Sequence, residues 1–550
     1  MADCYLGVDV GTGSVRTGLV NANGELLARS EEKISRKSSK PGHYEQSSQE
    51  IWSAVISTVR AVLETSNTTR DSIKGIGFDA TCSLVVEDKN GVGLPVGEDQ
   101  DYDIIMWCDH RASAEAQLIN TTKHKVLNYV GGQVSLEMQL PKLLWLKNNN
   151  NDLWVKSGNF FDLPDWLTYK ATGSDSRSFC SVVCKWNYLV ESNSKVIGWD
   201  KTLFRLIGLE DLEENEWNKI GKIILNPGSP VGLGLSKQAA DDLELLEGTA
   251  IGTSLIDAHA GALGMLKGAS NLVGNLGLVS GTSTCHMLLS ENQNFVAGVW
   301  GPYWSAIIDG LWLMEGGQSL TGGLLDFIIQ SHPAYSELVN ISEPDKVYSA
   351  LENRIEELRI TNSLKDSSFL TKKFHMTVDF HGNRSPLADP QLTGSMVGLT
   401  VTKDLESLAV QYLATIQGVC YGTKHIIQVL LEEGHQVCNV TVCGGLTKSK
   451  LFLQTLVDVV QLPVHVPAEN ESVLLGASFL GMSAHKGISV KEVLKAMEKI
   501  PGVQNIIKPS QDEEVQKFHT RKYRVYRKMI DDQLEYRKMM EEGANSMNRT

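Results

Sequence analysis

Two short runs carry the residue types that hold an anion. In the first, Asp9 stands next to last in the apolar strand CYLGVDV and Gly11, Thr12, Gly13 and Ser14 follow; in the second, Gly281, Thr282 and Ser283 follow the apolar segment NLGLVS. Glycines let the backbone turn tightly and bring several N–H groups to one point, and neighbouring hydroxyls add donors, which is the chemistry of a phosphate cradle. Either run alone reads equally as a hairpin turn. Neither is a Walker A loop, because no Gly-Lys-Ser or Gly-Lys-Thr follows, and a strand after the first run excludes the dinucleotide fingerprint. Cys443-Gly444-Gly445 joins a strand to a helix, where a glycine pair lets an adenosine lie against the backbone. The three together can hold one triphosphate from both sides. Asp9, at the mouth of the first loop, suits a water-mediated contact to Mg²⁺, which dehydrates reluctantly and takes one or two carboxylates plus phosphate oxygens. A turn-capping carboxylate is the alternative there, and Arg16 reads equally as a phosphate contact or a surface strand residue.

The elements around these runs repeat. CYLGVDV, VRTGLV and ELLARS form an antiparallel meander; a helix over 48–65 follows, with Ser47 and Glu50 as a capping box and Ile51, Val55, Val59, Val62 and Leu63 on one face. IKGIGFD is the next strand. A similar unit begins near 272 with NLGLVS and CHMLLS, and VCNVTV, KSKLFLQTLVDVV, LPVHVP and ESVLLGASFLGMSAH continue it as alternating strands and helices. The pattern is mixed α/β and looks duplicated.

Composition narrows the function classes. The chain has 550 residues, enough for two large domains, and a formal charge of −14 spread over many segments, which argues against a nucleic-acid partner. No stretch of about 20 apolar residues offers a membrane span and no leader is evident, so a cytoplasmic location is expected. The nine cysteines are scattered, as suits reduced thiols. Cys180 and Cys184 have no second pair at zinc-like spacing and read as bystanders; His259, His286 and His381 read as ordinary hydrogen-bonded histidines. A homodimer is left open, since no exposed apolar stripe declares one.

The arrangement resembles the FGGY carbohydrate kinases, of the actin, hexokinase and heat-shock chaperone ATPase superfamily, over nearly the whole chain. DVGTGSVR is similar to their first phosphate loop, SGTST (280–284) to the second, and VCGGLTKSKLFLQ, with Lys448, to the adenosine segment. The resemblance implies a duplicated, two-lobed actin-like ATPase (ribonuclease H-like) fold with an interlobe nucleotide cleft. Residues 1–266 would form the N-terminal lobe with the sugar site, first phosphate loop and catalytic acid. Residues 267–510 would form the C-terminal lobe with the second phosphate loop and adenosine site, and 511–550 a charged helix and tail.

Within the family, FDATCSLV, MWCDHRA, EMQLPKLLWLK, MEGGQSLTGG and DFHGNRSPLADP resemble ribulokinases, and TCSLV with the DFHGNRSP run resembles the D-ribulose branch. That resemblance implies Asp257 as the catalytic base, with Ala80, Thr81, Lys185, Asp257 and Glu315 on a small sugar, and ATP with Mg²⁺ as cofactors. A kinase of L-ribulose, xylulose, ribitol or glycerol stays open, as does an actin-like ATPase acting on a protein partner. Two positions depart from the family pattern: Gln139 stands where a small residue or proline is preferred, and Gln417 where many sugar kinases carry Glu. Asp109 and Arg111 read either as a structural ion pair or as a border of the sugar pocket, and DFHGNRSPLADP has no assigned role.

Overall fold

Alternating apolar residues in the first thirty positions build a meander of β1 (Cys4–Val10), β2 (Ser14–Asn21) and β3 (Leu26–Lys33). The computed structural model describes residues 3–191, 194–343 and 346–547, the last six by backbone alone; the tail expected from 548 on lies outside the described residues. The chain divides into two units, one of Met1–Val273, Met287–Glu315 and Pro467–Gln504, the other of Gly274–His286, Gly316–Val466 and Asn505–Thr550.

In the first unit, α1 (Ser48–Ser66) leads to β4 (Ile73–Ala80), and β5 (Ala250–Ile256) completes a five-stranded sheet in the order β5-β4-β1-β2-β3. β4 runs parallel to β1 and β5 parallel to β4. Leu6, Val8, Ile76 and Phe78 share a fully buried core with Ile51, Val55 and Val59 of α1. Strand side chains alternate, so Gly7, Gly75 and Gly77 face the other way. There the helix Ser472–Lys486 lies on the sheet so closely that a Cβ on Gly7 or Gly77 would come within 2.1 or 1.9 Å of the carbonyl oxygen of Leu474 or Ala477. The capping box of α1 forms only in half. Ser47 accepts from the Glu50 N–H, but the Glu50 carboxylate accepts instead from the N–H of Ser35, in the segment that leaves β3, at 2.9 Å. Three further helices of this unit carry site residues: α2 (Gln139–Asn149), α3 (Phe179–Lys185) and α4 (Asp257–Gly264).

The second half repeats the plan. β6 (Asn275–Ser280) is followed by β7 (Thr284–Ser290), then β8 (Trp300–Trp304) and β9 (Trp312–Gln318), the last two antiparallel. β10 (Asn439–Gly444) lies parallel to β6, and β11 (Val464–Pro467) parallel to β10, so that the inner five of seven strands run in the order β9-β7-β6-β10-β11, with β8 and the strand Val503–Ile507 at the edges. As in the first unit, the opening strand is central, with a hairpin partner on one side and a parallel strand on the other. α5 (Leu405–Glu432) packs within this unit, as does α6 (Glu513–Met547), whose Phe518, Tyr526 and Met529 are buried. Among the described residues no single helix is long and apolar enough to cross a membrane.

Candidate active site

Three parallel strands deliver their carboxyl ends to one edge of the first unit, the place where open α/β sheets bind ligands. In register, Asp9 pairs with Asp79, and Ala80 lies between Val10 and Ile256, so that Gly11, Thr81 and Asp257 each leave the sheet at neighbouring points. The first loop is closed by Gly11 N–H donating to Ser14 O at 2.9 Å, and Trp107 Nε1 donates to Thr12 Oγ1 at 3.1 Å. Nothing lies within 4 Å of the position a Cβ on Gly13 would take, so the loop presents bare backbone to open space. Thr81 is pinned by its N–H to Val10 O at 3.0 Å and by its hydroxyl to Ser83 Oγ at 3.2 Å.

The edge is acidic. Asp9 is buried and paired with Arg16, whose other arm reaches Glu471 at 3.2 Å. Arg16, its side chain 31% exposed, is therefore bound to the acid cluster from the surface side of its strand. Asp79 was not singled out from the sequence, although it precedes Ala80; it is buried, and burial followed by the charges of Asp9 and Asp257 pushes its pKa well up. Burial also raises Asp9, against the opposing pull of Arg16. Asp257 opens α4, and its Oδ1 accepts from the Ala258 N–H at 2.7 Å; no side-chain cap bond holds the helix start, so the alternative of an N-cap is not realised. Burial first, and the nearby Asp9 second, lift Asp257 to about 6. A carboxylate poised there is mostly ionised at neutral pH and still basic enough to take a proton.

Lys185, at the end of α3, is buried between Glu137 and Glu315, with Nζ at 3.5 Å from a carboxylate oxygen of each and 4.4 Å above the Trp300 ring. Its charge is felt at Asp257. Glu315 Oε2 lies 3.6 Å from His259 Nε2. The structure thus brings Asp9, the first loop, Ala80, Thr81, Lys185, Asp257 and Glu315 together in one unit, and it adds Asp79, Glu137, Trp300 and His259. A cation flanked by two carboxylates and floored by an indole offers hydroxyl groups both donors and acceptors, the set that reads a polyol.

Cys180 and Cys184 are free, buried thiols, and His259 joins them. Their ligand atoms all lie within 4.8 Å of one another, with Cys184 Sγ and His259 Nε2 at 3.4 Å. The third member comes from a helix some seventy positions on and carries no spacing signal. Asp109 and Arg111 are resolved too: the guanidinium is buried, 2.9 Å from Asp109 and 2.7 Å from Glu45, and over the Trp145 ring, a structural network. His286 is a core histidine, bonded to Thr423 and lowered to about 3 by burial. The two departures from the family pattern also acquire a physical cause. Gln139 is buried and donates to Cys82 O and Asp162 while accepting from Lys142; Gln417 accepts from Thr371 at 2.6 Å and donates to Ser368 O at 3.3 Å. Each site needs a side chain that donates and accepts, which an ionised Glu does not.

In the second unit, β6 and β10 end in register, Ser280 opposite Gly444. Gly281 N–H donates to Ser283 O at 2.8 Å, closing a loop like the first. The run Thr321-Gly322-Gly323 backs it through N–H groups donating to Thr282 O and Gly281 O, and a Cβ on Gly322 would come within 2.6 Å of Gly281 O. Gly444 has φ 91° and touches the Ser280 backbone, whereas Gly445 faces open space. Lys448 stands exposed at the end of the short turn Gly445–Lys448, and its ammonium forms no hydrogen bond or ion pair among the described residues.

Comparison with known proteins agrees with this geometry. Residues 4–264 match the N-terminal domain and 276–485 the C-terminal domain of the FGGY family of carbohydrate kinases. A Xenopus laevis FGGY carbohydrate kinase domain-containing protein is 45% identical over 552 residues, covering 98% of each chain. A D-ribulokinase of Saccharomyces cerevisiae is 39% identical over 519 residues, covering 88% of this chain and 72% of the yeast one. Among solved structures, a xylulose kinase from Rhodospirillum rubrum superimposes with TM-score 0.78 at 17% identity, over 97% of this chain and 99% of that one, and shares the two-domain actin-like ATPase fold. With both family domains matched in order and the strand-end loops built as described, the chain belongs to the FGGY family of carbohydrate kinases.

Proposed function

We propose that this chain transfers the γ-phosphoryl group of ATP to the terminal hydroxyl of D-ribulose, giving D-ribulose 5-phosphate and ADP. The observation that carries the reading is Asp257 beside the first loop and within the field of Lys185, itself bracketed by Glu137 and Glu315. The choice of ketopentose rests on the 39% identity to the yeast D-ribulokinase. Lys185, Glu315, Ala80 and Thr81 orient the sugar; the loops at 11–14 and 281–283 hold phosphates through backbone N–H groups and hydroxyls. Asp257 accepts the hydroxyl proton as the oxygen–phosphorus bond forms and the bond from phosphorus to the bridging oxygen of ADP breaks; the proton then passes to solvent. Gly444 and Gly445 leave room for the adenosine, with Lys448 at its edge.

Mg²⁺ fits the acidic edge: Asp9 and Asp79 are two buried carboxyl groups side by side at the strand ends, close enough to share a proton, and the charge of each opposes ionisation of the other where a divalent cation would relieve it. Asp9 and Asp79 would hold it through water, and when bound it neutralises phosphate charge.

The test is a panel of D-ribulose, L-ribulose, D-xylulose, ribitol and glycerol with ATP and Mg²⁺, scored for ADP. D-Ribulose is expected to give the highest kcat/KM. A different preferred polyol overturns the choice of sugar, and ADP formation indifferent to every sugar overturns the kinase reading. Gly13→Val addresses the loop separately. Because no protein atom lies within 4 Å of the new Cβ, the fold and melting temperature are expected to hold while ATP affinity, measured by calorimetry, falls at least ~10-fold as the backbone is shielded from the phosphates.

A further inference from the structure

The run DFHGNRSPLADP is built around one arginine. Asp379 accepts from Asn383 Nδ2 at 2.8 Å, Asn383 Oδ1 accepts from the Leu387 N–H at 2.9 Å, and Asn383 and Asp389 exchange backbone hydrogen bonds at 2.8 and 2.9 Å, so the residue after Asn383, Arg384, leaves a closed loop in a fixed direction. α6 ties the same loop down. Arg537 forks onto Asp389 at 2.5 and 3.2 Å, and Gln533 donates to Thr393 O at 2.7 Å while accepting from the Thr393 N–H at 3.3 Å.

Where Arg384 goes follows from strand alternation on β7 and β9. The face carrying His286 and Gly316 is covered by α5: His286 bonds Thr423, and a Cβ on Gly316 would meet Ile426. Cys285 and Gly317 therefore face the opposite side. Arg384 lies there, its Nη1 3.6 Å from Cys285 Sγ and its side chain so close over Gly317 that a Cβ would come within 2.7 to 3.0 Å of its Cδ, Nε and Cζ. Cys285 is separated from Ser283 of the second loop by one residue. A permanently charged, planar group with several donors, seated on glycine at the exit of an anion loop, is suited to phosphate oxygens.

We propose that Arg384 is a phosphate-binding residue of the second loop, acting on the terminal phosphates of the nucleotide, and that α6 is the brace that holds it there. This rests on the reading that the loop at 281–283 takes ATP, so the test measures nucleotide binding without sugar. ATP and ADP affinities, with Mg²⁺ throughout, are compared by calorimetry for the full chain and for Arg384→Met, which keeps the stem over Gly317 and removes the charge. The expected result is an unchanged melting temperature, ATP affinity lowered ~10-fold or more with ADP less affected, and kcat on the preferred sugar lowered ~10²-fold. Equal loss for ATP and ADP, or no loss in a folded variant, overturns the assignment while leaving the kinase reading intact; absence of ATP binding by the wild-type chain overturns both. If Arg384→Met does not fold, Arg384→Lys replaces it: a single ammonium lacks the fork, so the preference for ATP over ADP is expected to fall several-fold, and a wild-type preference overturns the proposal. Arg537→Gln, outside the site, is expected to reduce kcat several-fold with ATP affinity shifted in the same direction; an unchanged kcat overturns the bracing role.

Discussion

Asp257→Ala is expected to lower kcat by at least ~10²-fold with the sugar that the panel identifies, while ATP affinity measured without sugar stays near the wild-type value. The residue lies at the end of β5, beside β4 and its Asp79 and Ala80, and the cost of losing it is that of losing a placed proton acceptor. Asp257→Asn is the sharper variant, because it keeps the acceptor oxygen that bonds the Ala258 N–H and removes only the basicity. Retention of near-normal turnover by the folded Asn variant would sink the base assignment. The pH dependence gives an independent reading of the same group. The base form is the ionised one, and burial with the adjacent Asp9 places its pKa at about 6, so kcat/KM for the sugar should be level above that value and fall about tenfold per unit below it. An ordinary carboxylate at about 4 would leave the profile flat to much lower pH.

How much of this was legible beforehand depends on sequence distance. The two hairpin loops are local objects: an apolar strand, a Gly-Thr turn and a second strand lie within about fifteen residues, and periodicity with turn chemistry finds them. Asp257, Lys185, Glu315, Ala80 and Thr81 came from resemblance of short motifs, and the structure gathers them in one unit without any of the motifs having encoded the distances. Asp79 was missed although the strand IKGIGFD was recognised, because what makes it part of the cluster is its pairing with Asp9 across β1 and β4, a register that spans seventy residues. Reading IKGIGFD as a strand parallel to CYLGVDV, each with an acid at or next to its carboxyl end, was the available signal. Glu137 and Trp300 lacked even that; only the burial of Lys185 shows that its charge must be answered from two other segments. His259 joins Cys184 in the same way, and the capping box of α1 failed because a distant N–H outbid a local one.

Close packing between segments far apart in the chain also sets the largest stability effect. Gly77→Ala is expected to destabilise the first unit by about 3 kcal/mol, the upper part of the usual range for overpacking, since its Cβ would stand 1.9 Å from the carbonyl oxygen of Ala477 and 2.8 Å from the Leu480 Cβ. Neither atom can move without the helix Ser472–Lys486 lifting off the sheet. The same helix packs on Gly7, Gly75 and Gly252, where an added Cβ would come within 2.1 to 2.3 Å of its carbonyl oxygens, and a Cβ on its own Gly476 would come within 1.9 Å of Ala260 O on α4, so one displaced turn disturbs β1, β4, β5 and α4 together. Asp9, Asp79 and Asp257 sit on those elements, two of them only two residues from Gly7 and Gly77. The expected outcome is therefore double: a melting temperature lowered relative to the wild type, and reduced kcat at temperatures where the variant is still folded. Gly13→Ala, a Cβ added to open space, is the control that should leave the melting temperature alone. If Gly77→Ala melted with the wild type, the helix would have to slide freely on the sheet, and close glycine packing would lose its claim to hold the three carboxylates in place.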